Sequence, residues 1–171
     1  MAVGQTVFIP KEIDGNEPRV AASPDTVKRI AGLGFDVIVE AGAGAASRIT
    51  DDEFAKVGAK IGKASDAASA DVVLKVRRPT DTELKSYKRG ATVIGIMDPY
   101  GNDAAVAALA RAGVTAFAME FMPRITRAQV MDVLSSQANL AGYQAVIDAA
   151  AEYDRALPMM MTAAGTVPAA K

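Results

Sequence analysis

The chain alternates short apolar runs with segments in which apolar residues recur every three to four positions. Runs rich in branched and aromatic residues, such as TVFIP and DVVLKV, are typical of buried strands. Such runs predict β-strands at residues 6–10, 35–40, 71–76, 92–97 and 115–119. The segments between them predict helices at residues 25–31, from residue 50 onward, at 80–87 and at 104–112, with a short helix or turn at 65–70.

This alternation of strand and helix predicts an α/β fold. Consecutive parallel strands need a crossover connection, and the intervening helices supply one. We therefore expect a doubly wound, mainly parallel sheet, Rossmann-like or flavodoxin-like, with helices on both faces.

The pattern changes after Glu120. Residues 121–134 show no clean period and predict a long loop, and residues 135–153 predict a long helix capped by Ser135 or Ser136. Its apolar stripe consists of Leu140, Tyr143, Val146 and Ile147. We therefore divide the chain into an α/β domain (1–134), a connecting helix (135–153) and an irregular tail (154–171).

Composition excludes several function classes. The formal net charge is −1 and the basic residues are scattered, which argues against a nucleic-acid partner. The sequence has no cysteine and no histidine, so it lacks thiolate ligands, a cysteine nucleophile and the commonest general base. We expect no metal site. No run reaches the ~18 apolar residues of a membrane span, which predicts a soluble, cytoplasmic protein.

The segment from Arg124 to Ser135 carries the strongest chemical signal. It places Arg124, Gln129, Asp132 and Ser135 just beyond a predicted parallel strand, where such sheets bind ligands. Gln, Asp and Ser offer the donors and acceptors that suit a neutral amide such as nicotinamide, and Arg stacks on flat rings or holds a phosphate. The alternative is structural: Thr126 and Gln129 have capping-box spacing, and Asp132 is then an ordinary solvated residue.

Residues 119–146, MEFMPRITRAQVMDVLSSQANLAGYQAV, resemble the signature of the NAD(H)-binding component (alpha subunit) of proton-translocating transhydrogenases. Residues 9–54 and 71–80 resemble the wider alanine dehydrogenase and transhydrogenase superfamily. The resemblance implies that Arg124, Gln129 and Asp132 lie against the nicotinamide of NAD(H), with Ser135 as a further contact. These four residues are the predicted cofactor-binding set, and the first three the predicted catalytic set.

The same resemblance implies the reaction and the assembly. A Re/Si-specific NAD(P)+ transhydrogenase passes hydride directly between NAD(H) and NADP(H), and a separate partner component holds the NADP(H). The family's NAD(H)-side component is a homodimer. It lies at the inner face of a membrane, bound through its partners, which include a component with the proton channel.

Two basic residues match another activity of the superfamily. Arg19 and Lys75 correspond to alanine dehydrogenase residues that hold the keto-acid substrate, where a histidine about twenty residues after the lysine assists proton transfer. Here that region reads TVIGIMDPY and has no histidine. We interpret Arg19 and Lys75 as remnants of a substrate site, and a structural ion pair for Lys75 is the alternative. Direct hydride transfer needs ring placement rather than a general base.

The sequence contains no GxGxxG fingerprint. The glycines of AGAGAAS (residues 41–47) follow a predicted strand but lack the third glycine, and we interpret them as a tight turn. We expect the main NAD-binding domain to begin directly after residue 171, so that the chain is a fragment or one piece of a split polypeptide and is inactive alone. The alternatives are an alanine dehydrogenase-like oxidoreductase and a non-catalytic interaction domain of the same fold.

Overall fold

The computed structural model describes residues 4–169. They form two compact units: one ends at Met122, and the second begins at Pro123. The functional roles predicted for residues 1–134, 135–153 and 154–171 stay predictions.

The first unit contains a six-stranded parallel sheet, which confirms the predicted fold class. Its strands follow the order β3-β2-β1-β4-β5-β6. The strands are β1 (Thr6–Ile9), β2 (Asp36–Glu40), β3 (Lys60–Gly62), β4 (Val72–Arg77), β5 (Thr92–Ile96) and β6 (Thr115–Ala118). The helices are α1 (Pro24–Gly32), α2 (Asp51–Lys56), α3 (Asp81–Leu84) and α4 (Asp103–Ala112).

Side-chain alternation along β1 divides the core between the two faces of the sheet. Val7 and Ile9 pack with Val27 of α1 and Phe54 of α2, whereas Phe8 points to the other face and packs with residues of α3 and α4. Because successive side chains of a strand point to opposite faces, this three-residue apolar run serves both layers. The sheet is therefore covered by helices on both sides, as the sequence predicts.

Local capping chemistry sets the starts of the helices. Thr50 and Glu53 form a capping box at α2, where the sequence predicts a helix from residue 50 onward, and Thr80 and Glu83 form another at α3. The predicted helix 80–87 ends earlier, at Leu84. β3 is not evident from the sequence because its three residues include a single large apolar side chain, and backbone pairing with β2 makes it a strand.

The second unit contains α5 (Val133–Glu152) and an antiparallel hairpin of β7 (Met160–Thr162) and β8 (Gly165–Val167). The predicted cap at Ser135 or Ser136 is wrong. Asp132 caps α5 instead, because its side chain accepts the backbone N–H groups of Leu134 and Ser135.

Two other predictions about this part of the chain need correction. The predicted loop 121–134 begins at the last residue of a 3-10 turn, Met119–Phe121, and includes a second one, Gln129–Met131. The tail predicted to be irregular forms the β7–β8 hairpin, whose turn is closed by Gly165 at φ +131°. The predicted apolar stripe of α5 is exposed within this structure.

In residues 4–169, no helix combines the length and the apolar character that crossing a membrane requires. The same described residues contain no group of three or more acidic side chains arranged to hold a metal ion.

Candidate functional site

Lys75 lies at the carboxyl-terminal end of β4, where the sequence places a substrate-site remnant. Its side chain shares the sheet face of Val73, two residues earlier, and so points toward α3. There its Nζ lies 2.5 Å from Glu83 Oε1 and 3.3 Å from Glu12 Oε2. Lys75 is 4% exposed, and Glu12 is buried as well.

The two carboxylates around Lys75 are themselves fixed by backbone groups. Glu12 Oε1 accepts the N–H of Val76 at 2.7 Å, and Glu83 Oε2 accepts the N–H and the hydroxyl of Thr80. Glu83 therefore caps α3 with one oxygen and binds Lys75 with the other. This geometry is that of a structural ion pair, the alternative interpretation of Lys75.

A second ion-pair group lies beside the first. Arg19 donates two hydrogen bonds of 2.6 Å to the two oxygens of Glu17, and Arg77 donates a third at 2.8 Å. The hydrogen bonds from Arg19 lower the pKa of the buried Glu17 from 4.5 to about 2. Arg19 is thus bound to an internal carboxylate of this chain. We call Glu12, Glu17, Arg19, Lys75, Arg77 and Glu83 together the charge cluster.

An open cavity of about 690 Å³ lies next to the charge cluster, at the carboxyl ends of β4 and β5. Glu12, Lys75 and Arg77 contribute to its wall. Each of these three has an opposite charge within hydrogen-bonding range in the chain itself. A ligand carboxylate that binds Lys75 or Arg77 in this cavity would have to compete with Glu83 or Glu17 for the cation.

The turn after β5 occupies the position where the resemblance to alanine dehydrogenase would place a histidine. Met97 is buried and Asp98 is exposed, with a left-handed φ of +44°. The carboxylate of Glu120 accepts the backbone N–H groups of both residues. Glu120 is not among the site residues predicted from the sequence. The only sequence feature that could have pointed to it is its place, as an acidic residue, directly after a predicted strand.

The segment Arg124–Ser135 lies in the second unit, so the structure divides the predicted site residues between the units. Asp132 Oδ1 accepts the N–H groups of Leu134 (2.9 Å) and Ser135 (3.1 Å), and Oδ2 accepts the Ser135 hydroxyl at 2.8 Å. These bonds from Ser135, with a smaller contribution from the charge of Arg124, hold the pKa of Asp132 below its usual value. The structure thus brings Asp132 and Ser135 together at the start of α5.

Gln129 lies in the 3-10 turn before that helix. Its backbone N–H donates to the carbonyl of Ile125, and its carbonyl accepts the N–H of Asp132. The capping box considered for Thr126 and Gln129 is wrong, because this turn has no side-chain cap. Arg124 and Gln129 are both exposed, so their side chains are accessible in this unit.

Known proteins of similar sequence share this architecture. Residues 8–141 match the family described as alanine dehydrogenase/PNT, N-terminal domain. An NAD(P) transhydrogenase alpha subunit from Rhodospirillum rubrum is 52% identical over 96% of this chain and 45% of its own length. An NAD(P) transhydrogenase subunit alpha from Haemophilus influenzae is 44% identical over 96% of this chain and 32% of its own length. An alanine dehydrogenase 1 from Staphylococcus aureus is 31% identical over 82% of this chain and 37% of its own length.

Solved structures give the same ranking. The crystal structure of transhydrogenase from Sinorhizobium meliloti superposes with a TM-score of 0.94, is 70% identical, and covers 97% of this chain and 50% of that chain. An L-alanine dehydrogenase superposes with a TM-score of 0.68 at 27% identity, over 73% of this chain and 35% of that chain. The chain spans half or less of the length of each of these relatives. It belongs to the alanine dehydrogenase/PNT N-terminal domain family, which confirms the family resemblance of its sequence.

Proposed function

We propose that this chain is part of the NAD(H)-side component of a Re/Si-specific, proton-translocating transhydrogenase. Hydride passes directly between C4 of NAD(H) and C4 of NADP(H), which a separate component binds. The observation that carries the proposal is the similarity to transhydrogenases, 52% in sequence and 70% for a solved structure, against 31% and 27% for alanine dehydrogenases. Direct hydride transfer also suits a chain without histidine, since no heteroatom exchanges a proton.

In this proposal the segment Arg124–Ser135 sets the position of the nicotinamide ring. Asp132 keeps acceptor capacity, because a carboxylate offers about four lone-pair sites and three are occupied in the chain. A lowered pKa keeps it an anionic acceptor for the amino group of the carboxamide. Gln129 supplies both a donor and an acceptor, and Arg124 offers a flat cation that stacks on the ring.

Anchoring gives this segment the rigidity that ring positioning needs. Asp132 is held by the first turn of α5, and its charge is favoured there by the helix dipole. A carboxylate fixed in this way loses little conformational freedom when it binds the carboxamide. Its contribution to hydride transfer is therefore to set the position of the nicotinamide ring in the reacting complex.

The remaining contacts to NAD(H) lie, in this proposal, outside these 171 residues. The chain aligns with less than half of the transhydrogenase subunit from Rhodospirillum rubrum, and it has no glycine fingerprint for the pyrophosphate. We expect the 171-residue chain to bind NADH weakly and to be inactive alone. The complete component is a cytoplasmic homodimer at the inner face of the membrane, bound to the NADP(H)-side and proton-channel components.

Amide hydrogen exchange tests the role of the segment. In the complete component, NADH should slow exchange at the amides of Gln129, Leu134 and Ser135. ADP-ribose is the matched control, because it keeps the adenosine and both phosphates but lacks the nicotinamide, and it should bind without this protection. Equal protection by both ligands would show that the ring does not contact the segment.

Isotope transfer tests the reaction. With NADH that carries deuterium at both C4 positions, the complete enzyme should place one deuterium in the NADPH formed, without loss to water. Loss of the deuterium to solvent would contradict direct transfer. The absence of any transfer would favour the alternative that the chain is a non-catalytic interaction domain.

An alanine dehydrogenase-like activity is the second candidate, favoured by Arg19 and Lys75 at the matching positions. NADH oxidation that depends on pyruvate and ammonia would establish it. We do not expect this activity, because both cations already bind internal carboxylates.

A further inference from the structure

The Met97–Asp98 turn has every backbone polar group bound by a side chain. Glu120 accepts the N–H of Met97 with both oxygens, at 3.0 and 3.1 Å, and the N–H of Asp98 with Oε1. Arg78 Nη1 donates to the carbonyls of the same two residues, at 2.6 and 2.8 Å. The carboxylate of Glu120 thus binds the two N–H groups of the turn, and the guanidinium of Arg78 binds its two carbonyls.

This turn needs such support because its backbone is strained. Asp98 adopts a left-handed φ of +44°, a conformation that is unfavourable for residues other than glycine. It also precedes Pro99, whose ring restricts the residue before it. Asn102 adds a third restraint by donating to the Asp98 carbonyl at 2.9 Å. Strain of this kind persists only where the surroundings over-determine it.

Glu120 links this turn to the point where the chain leaves the first unit. It lies in the 3-10 turn Met119–Phe121, directly after β6, while the residues it binds follow β5. Its carboxylate therefore ties together the carboxyl ends of two adjacent strands. The first unit ends at Met122, two residues after Glu120, and Arg124 follows two residues later.

We propose that Glu120 is a positioning residue for hydride transfer, and this role rests on the proposed function. By binding the Met97 and Asp98 amides, its carboxylate fixes the point from which the chain runs into the segment Arg124–Ser135. Glutamate suits the role because a carboxylate accepts two adjacent N–H groups without presenting a donor to them. Glutamine keeps one oxygen but adds an amino group, and alanine removes the bond entirely.

The first measurement tests the contact itself, in the 171-residue chain. Glu120→Ala should speed amide exchange at Met97 and Asp98 by about tenfold or more, because a hydrogen bond to a charged acceptor contributes roughly 1.5–3 kcal/mol. Glu53→Ala is the matched control, since Glu53 also binds a backbone N–H but at the start of α2. It should leave both amides unchanged, and unchanged exchange in Glu120→Ala would overturn the proposal.

The second measurement tests positioning, in the complete transhydrogenase. Single-turnover hydride transfer should slow by about tenfold or more in Glu120→Ala, less in Glu120→Gln, and not in Glu53→Ala, with NADH affinity within about twofold throughout. If Glu120→Ala does not fold, a slowed Glu120→Gln with parental NADH affinity still supports the role. If the parent enzyme transfers hydride and either folded variant does so at the parental rate, the positioning role of Glu120 is overturned but the proposed function is not. Absence of transfer in the parent overturns the proposed function and this role together.

Discussion

The charge cluster and the segment Arg124–Ser135 use the same residue types in opposite ways. Lys75 is 4% exposed and lies between two carboxylates that are themselves bound to the backbone. Arg124 and Gln129 are exposed, and the carboxylate of Asp132 is bound only by the first turn of its own helix. Both regions contain residues that the family resemblance predicts to be functional. In the charge cluster even the partly exposed cations, Arg19 and Arg77, are bound to the buried carboxylate of Glu17, whereas Arg124 and Gln129 of the segment are exposed side chains next to the anchored Asp132.

The comparison teaches that partners, rather than residue type, decide what a charged group is able to do. Burying a charge is costly unless it is paired and hydrogen-bonded, so Glu12, Glu17 and Lys75, the buried members of the charge cluster, need their partners. Changes there should appear as lost stability. An exposed group that is anchored at one end has bonding capacity left for a ligand. Substitutions in the segment Arg124–Ser135 should therefore lower the rate of hydride transfer.

The largest expected effect is on stability, from Lys75→Met. This change leaves Glu12 and Glu83 close together in a buried site without their cation, which costs roughly 3–5 kcal/mol. Urea denaturation of the chain measures the free energy of unfolding. Lys88→Met is the matched control, because the Lys88–Asp71 pair is largely solvated and should contribute less than ~1 kcal/mol. Equal losses from the two changes would remove the contrast between buried and exposed charges.

Glu17→Gln should have a smaller effect that depends on pH. The folded-state pKa of Glu17 is lowered from 4.5 to about 2, so the charged form stabilises the fold above pH 4.5 and this stabilisation disappears as pH falls through 2. At pH 7 the parent should exceed the variant by ~2 kcal/mol, allowing for the solvent around Arg19. Unfolding of both proteins at pH 7 and pH 3 checks this, and a gap that stays constant or widens at pH 3 would contradict it.

The smallest expected effect distinguishes the capping role of Asp132 at α5 from the role of its negative charge. Asp132→Ala should destabilise the start of the helix by ~1 kcal/mol, whereas Asp132→Asn should cost much less because asparagine caps as well as aspartate. Amide exchange at Leu134 and Ser135 reports on this turn. If Asn and Ala had the same effect, the charge of Asp132 would matter for structure as well as for the ligand.

Much of the fold was predictable because the strands of the first unit are dense in branched residues and their helices begin with strong caps. Thr50, Glu53 and the runs around Val7 and Val73 carry that information locally. The strands missed from the sequence, β3 and the β7–β8 hairpin, are three-residue segments that become strands only through pairing with a neighbour.

The site residues stay predictions from the family resemblance, and the environment of each was not predictable from the sequence. The resemblance points to Arg19 and Lys75. The partners of Lys75 are set by folding, since Glu12 and Glu83 are 63 and 8 positions away in the sequence. Glu17 is only two positions from Arg19, but its burial and its bond to Arg77 are set by folding. The cap at Asp132 was missed because serine and aspartate are equally good caps and the segment offers both. Glu120 was missed because its two amide partners follow a different strand, 23 and 22 positions earlier in the sequence.

Single-turnover hydride transfer and NADH affinity, measured together in the complete enzyme, test most directly whether the segment positions the nicotinamide. We expect Arg124→Ala, Gln129→Asn and Asp132→Asn each to slow transfer by up to about a hundredfold, the loss that a ~1 Å displacement causes. NADH affinity should change far less, because most binding energy comes from the rest of the dinucleotide. Glu17→Gln is the control and should keep the parental rate while losing stability. Rates within about threefold of the parent in all three segment variants would contradict the claim.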